Sequence, residues 1–181
     1  MRHEDGFFQG IRGARIYRQC WLPDGEPRAV LLIVHGLGEH SGRYANVVNH
    51  LVPRGYALYG LDHVGHGKSE GTREYVERFE DYTDTLDMYR GMVRQAQPDK
   101  PLFLYGHSLG GLISAFYLLD HQAGLAGAVL SAPPGHSARE HLGNDDHPRP
   151  AAVAPAAQGR AASPGCHGRE PRSGGGAGLC E

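Results

Sequence analysis

The stretch PLFLYGHSLGGLISAFYLL, residues 101–119, decides how the rest of this chain is read. Pro101 to Tyr105 is a short apolar run suited to a strand buried on both faces. Leu109 to His121 is long, apolar and rich in helix formers, which predicts a largely buried helix. Between them stands Gly106-His107-Ser108-Leu109-Gly110, a G-x-S-x-G sequence. In a chain with 27 glycines that pattern alone carries little weight. Its setting carries the weight, because a strand feeding directly into a helix through so short a turn leaves the central residue exposed at the tip. Gly106 and Gly110 keep the turn free of clashes, Ser108 is forced into a strained backbone geometry, and its hydroxyl becomes a candidate nucleophile. The N–H of Leu109, opening the helix, would face an oxyanion forming at that serine.

Working outward, Arg15–Trp21, Ala29–Val34, Tyr56–Leu61 and Ala126–Leu130 also read as strands. Helices are predicted over Arg43–Val52, with Tyr44, Val47, Val48 and Leu51 on one face, and over Phe79–Gln97, with Phe79, Tyr82, Leu86, Tyr89 and Val93 in one stripe. From Ala29 onward strands and helices alternate, which implies an α/β fold with a mostly parallel sheet and helices on both faces. The N-terminal stretch would add antiparallel edge strands. In such sheets chemistry gathers beyond the strand ends. His35-Gly36-Leu37-Gly38 follows the strand Ala29–Val34, where a second oxyanion donor is placed, and Leu37 would supply that N–H. His63 and His66 lie in the loop after Tyr56–Leu61; without a third suitably spaced ligand they read as loop structure, and no metal is expected.

These stretches, HGLGEHSGRY at 35–44, LDHVGHGKSEG at 61–71, GHSLGG at 106–111 and AGAVLSAP at 126–133, together resemble monoacylglycerol lipases and the related serine aminopeptidase-type, lysophospholipase-like α/β-hydrolases. The resemblance covers roughly residues 10–133. It implies Ser108 as nucleophile, the N–H groups of Leu37 and Leu109 as oxyanion hole, and Gly106, His107 and Gly110 as the elbow. His35, Gly36, Gly38 and Glu39, with His40 and Arg43, would order the loop that bears the hole. It further implies a lipid ester of one acyl chain as substrate, a Ser–His–Asp mechanism without cofactor, and peripheral contact with membranes. A lysophospholipase or an aminopeptidase-type hydrolase are the alternatives.

In that family a cap and two further strands follow, bringing the acid and then the histidine. Nothing after Pro133 resembles them, so the fold reads as truncated and neither residue is identifiable. Asp145, Asp146, His141, His147 and His167 sit in no strand-end context. Residues 134–181 contain no Phe, Tyr, Trp, Ile or Met, and such a composition cannot offset the entropy of ordering; a disordered tail is expected. One synonymous back-translation of this tail, read one nucleotide out of frame, gives leucines at helical spacing like the family's cap region, which suggests a frameshift. A further reading is therefore a fragment without catalysis, weakly stable on its own.

The totals agree with these readings. A net charge of −2 gives no footprint for nucleic acid. Three cysteines, Cys20, Cys166 and Cys180, form no disulfide framework and suit a reducing compartment. No secretory h-region opens the chain, and Ala29–Val34 is far too short to span a membrane, so a cytoplasmic protein is expected.

Overall fold

The computed structural model describes Met1–Pro134; the tail from residue 135, with the acids and histidines named above, lies outside the described residues. Six strands form one sheet: β1 (Arg2–Gln9), β2 (Arg15–Leu22), β3 (Ala29–Val34), β4 (Tyr56–Leu61), β5 (Leu102–His107) and β6 (Gly127–Ser131). Three helices intervene: α1 (Ala45–Leu51), α2 (Glu80–Ala96) and α3 (Leu109–Asp120). The spatial order is β1-β2-β4-β3-β5-β6. β1 with β2 and β2 with β4 are antiparallel, and the remaining pairs are parallel. This is the α/β arrangement that the alternating apolar strands and amphipathic helices predict.

Alternation along the strands sorts the core into two layers. Val30, Leu32 and Val34 face the same side as Leu86, Tyr89, Val93, Ile113 and Tyr117 of α2 and α3. Ile33 and Leu58 face the other side, where Val48 and Val52 pack with Tyr44. Both sheet faces are thus covered over β3 and β4, as a buried parallel sheet requires, whereas β6 stays largely exposed.

Three details differ from the sequence reading. The helix expected over Arg43–Val52 is α1 alone, with 3₁₀ turns at Ser41–Tyr44 and Val52–Arg54, because Pro53 removes a donor and Gly55 turns the chain at φ 88°. β5 runs two residues past Tyr105, to His107, since the ladder with β6 continues through Gly106 and His107. α3 is not largely buried: Ile113 and Tyr117 face inward, whereas Phe116 and Leu119 are exposed. Apolar composition said nothing about which face had a partner. The N-terminal stretch does add an antiparallel edge strand: Arg2–Gln9 forms one despite its mixed polarity, because an edge strand needs one neighbour and β2 offers a continuous ladder.

β3 is the first strand of the parallel set and lies inside it. The chain goes from β3 to β4 on one side, then crosses to β5 on the other. The loops leaving β3 and β5 therefore diverge to opposite faces beyond their C-terminal ends, the position where ligands bind in open α/β sheets. Val34 pairs with Gly106, so the loop from His35 and the Ser108 turn emerge side by side.

Candidate active site

Ser108 sits at the junction of β5 and α3 with φ 52° and ψ −120°, a conformation that costs a non-glycine residue of order 1–3 kcal/mol. The neighbours show what holds it there. A side chain at Gly110 would collide with the carbonyl oxygen of Val34, and one at Gly106 with the carbonyl of Gly110. The elbow is wedged against β3 with backbone on backbone. From the other side β6 holds it: the Ser108 N–H donates to the Ser131 carbonyl at 2.9 Å, and His107 Nδ1 lies 3.2 Å from Ser131 Oγ. The sequence reading did not single out Ser131. Its signal was present, however, because a strand pairing alongside β5 has to end beside the elbow.

Gly36 lies against Ser108. A Cβ on it would stand 3.2 Å from Ser108 Cβ and 3.3 Å from the His107 carbonyl oxygen. The Gly36 N–H donates to Glu39 Oε2 at 3.1 Å. The same oxygen accepts the Tyr44 hydroxyl at 2.9 Å, and Arg43 Nε lies 3.7 Å from Oε1. Burial on its own pushes the Glu39 carboxyl up, but the Tyr44 and Gly36 hydrogen bonds and the Arg43 charge bring it below its ordinary value. Glu39 is thus a charged brace across the loop. With the Gly36 N–H engaged, the N–H of Leu37 makes no hydrogen bond among the described residues, nor does that of Leu109 at the first position of α3. Gly38, at φ 64°, lets the loop turn back. Tyr44 is the brace residue that the sequence reading assigned only to a helix stripe; its ring packs edge-on to Tyr105 of β5, with centroids 6.0 Å apart.

Beneath the loop lies a polar layer. Asp62, buried, accepts the Ser41 N–H at 2.8 Å, the Ser41 hydroxyl at 2.6 Å and the Lys68 N–H at 2.9 Å. It ties the loop after β3 to the loop after β4. His35 lies beside His63 and His66, with ring centroids 4.2 and 5.4 Å away. The fold thus supplies the third histidine that the spacing had not shown, but the three do not form a metal site. His35 donates Nδ1–H to the Gly36 carbonyl and accepts the His63 N–H at Nε2, at 2.8 Å each. His66 Nδ1 faces the Val64 carbonyl at 3.0 Å. No three free donors converge, and no group suited to hold a metal ion occurs among the described residues. Burial holds His35 neutral, with a pKa lowered to about 4, and pushes His63 well below the ordinary imidazole range.

The fold therefore sets the loop bearing Leu37 beside the turn bearing Ser108 and Leu109, with Gly36, Gly38, Glu39 and His35 in that loop and Gly106, His107 and Gly110 in the turn. Among the described residues no imidazole or carboxylate hydrogen-bonds to Ser108 Oγ. No described helix is long and apolar enough to cross a membrane.

Residues 25–158 match the family described as Hydrolase_4: Serine aminopeptidase, S33. The chain is 35% identical over 126 residues to a monoacylglycerol lipase of Mycolicibacterium smegmatis, a match covering 70% of this chain and 45% of that protein. A thermostable carboxyl esterase from Bacillus coagulans, solved with glycerol, superposes with a TM-score of 0.66 at 30% identity, over 71% of this chain and 43% of the esterase. A monoglyceride lipase from Saccharomyces cerevisiae, solved with a substrate analog, gives 0.60 at 25%, over 68% and 42%. The chain spans less than half the length of these relatives. On the family match and the shared architecture, this chain belongs to the serine aminopeptidase S33 family of α/β-hydrolases.

Proposed function

We propose that this chain carries the nucleophile and oxyanion hole of a serine hydrolase that cleaves carboxylic esters of single-chain lipids, as a monoacylglycerol lipase does. Ser108 Oγ attacks the ester carbonyl, and the N–H groups of Leu37 and Leu109 receive the oxyanion. The alcohol leaves, an acyl-enzyme remains on Ser108, and water releases the fatty acid. This chemistry calls for no metal or organic cofactor. The protein would work in the cytoplasm and meet its substrate at lipid surfaces by peripheral contact. Lysophospholipids or peptides are the neighbouring substrate classes.

One observation supports the reading above the others. Ser108 is held at positive φ by two glycines packed on backbone, facing a loop whose free N–H groups have no other partner among the described residues. The family resemblance of the surrounding motifs agrees.

A second reading rests on a different observation. Ser108 Oγ lacks a base among the described residues, and His107 turns its Nδ1 to Ser131. A chain without the acid and the histidine would keep only the residual rate of an oxyanion hole, about 10³–10⁴ over water. Prolonged incubation with a fluorophosphonate separates the two readings. Stoichiometric adduct on Ser108, lost in Ser108→Ala, supports the hydrolase. No adduct on folded protein supports the non-catalytic fragment.

A further inference from the structure

A cavity of about 340 Å³ lies between the β1–β2 edge and the C-terminal half of α2. It is remote from the nucleophile in the fold. None of its lining residues belongs to β3, β5 or the loops at their ends. Tyr59, the lining residue on β4, is level with Leu32 and through it with Leu104, upstream of the elbow and two strands away.

The inward face of β2 reads Ile16, Arg18, Cys20, Leu22. Three of the four are buried and apolar, and Arg18 interrupts them. Its partner across the ladder is Gly6, whose missing side chain leaves room for the guanidinium. Phe8, on the same face of β1, stacks on Tyr89 with centroids 5.5 Å apart, which fixes that face toward α2. From α2 the cavity meets Tyr89, Met92, Val93 and Ala96, and no carboxylate. Glu4 at the rim is taken by Arg2 at 2.8 Å. Arg18 makes no ion pair among the described residues, and its Nε is shielded from solvent without an acceptor. Arg12 and Arg94 show the contrast, the first on Asp81 and the second on backbone carbonyls. A guanidinium presents a planar fork of donors matched to a carboxylate. Here it shares with Leu22, Met92 and Val93 a space the size of a small-molecule site, which Tyr59, Tyr89 and Gln97 also line.

We propose that this cavity binds the carboxylate of a single-chain aliphatic acid, with Arg18 on the head group and Leu22, Met92 and Val93 on the chain. The inference does not depend on ester hydrolysis. The test uses the full-length chain carrying Ser108→Ala, so that occupancy of the nucleophile site cannot turn over.

Titration calorimetry with decanoate should show one site with a dissociation constant on the order of 0.1 mM. Decanol, which lacks the charge, and acetate, which lacks the chain, should each bind at least about tenfold more weakly. Arg18→Gln should weaken decanoate by about tenfold or more, and Arg18→Lys by less. Met92→Trp, which fills the cavity and leaves the charge, should block decanoate as well, and it decides the matter if Arg18→Gln fails to fold. Undetectable decanoate binding, equal binding of decanol, or binding indifferent to both Arg18→Gln and Met92→Trp would overturn the assignment. Arg18 would then be only a charged side chain on an interior strand, with its guanidinium reaching past Gly6 to solvent.

Discussion

Lowering the pH from 7 to 5 should cost this fold about 2 kcal/mol through His35 alone. His35 is buried with its pKa lowered to about 4, against 6.5 for the free side chain. Between those values the unfolded chain holds a proton that the native ring does not. Unfolding then takes up protons, and stability falls as the pH drops through 6.5 and levels off below 4. The full span of 2.5 pH units at 1.36 kcal/mol each limits the His35 share to about 3 kcal/mol. His63, lowered in the same direction by burial and then by its two histidine neighbours, adds a loss of the same sign. Domains of this size have about 5–15 kcal/mol in hand, so the effect is large. Urea midpoints followed by far-UV circular dichroism from pH 7.5 to 5.0 should fall steadily, with uptake of between one and two protons per unfolding event near pH 5.5. His63→Phe keeps a planar ring against Tyr82 and removes two ring nitrogens that have no partner among the described residues. It should flatten the slope by close to one proton. A midpoint that does not move over this range, or an unchanged slope in His63→Phe, would refute the reasoning.

Ser108→Gly should be more stable than Ser108→Ala by about 1 kcal/mol in denaturant titrations, because only glycine relieves the positive φ. Equal stabilities would mean that the elbow is unstrained. Gly110→Ala should destabilise by about 3 kcal/mol or more, since its methyl meets the Val34 backbone and not a movable side chain; a shift in melting temperature within error of the parent would contradict the packing. Val129→Lys, on the exposed edge of β6, should raise the concentration at which light scattering appears and leave the melting temperature within about 2 °C. Sequencing the gene across codons 128–140 in independent clones should reveal a shifted frame; a single intact frame would dismiss that origin for residues 134–181.

Most of the architecture was legible because it rests on apolar periodicity. β3 and β4 begin and end where the apolar runs do, and α2 differs by one residue at each end from the Phe79–Gln97 pattern. The elbow was legible because glycine spacing around Ser108 states a steric requirement directly. What lies across the sheet was not. Tyr44 looked like one more apolar position on a helix, and only the fold places its hydroxyl on Glu39. The His35–His63 contact joins residues 28 positions apart, held adjacent because β3 and β4 are neighbours in the sheet. Ser131 stands in the family-like stretch AGAVLSAP, yet its place beside the elbow follows only from the register of β6 with β5. Exposure of Phe116 and Leu119 escaped composition for a related reason: side-chain type reports what could be buried, and packing decides what is.

The clamp between Ser108 and Ser131 couples two quantities that are usually separate. β6 is the most weakly covered strand of the parallel set, with Val129 and Leu130 open to solvent. Its local opening should be frequent compared with global unfolding. Each opening releases the Ser108 amide and frees the strained turn to relax toward ordinary backbone angles. The fraction of molecules with a correctly poised serine is then set by the fraying equilibrium of a neighbouring strand. Amide exchange in β6 and the adduct-forming fraction at Ser108 become two readings of a single equilibrium.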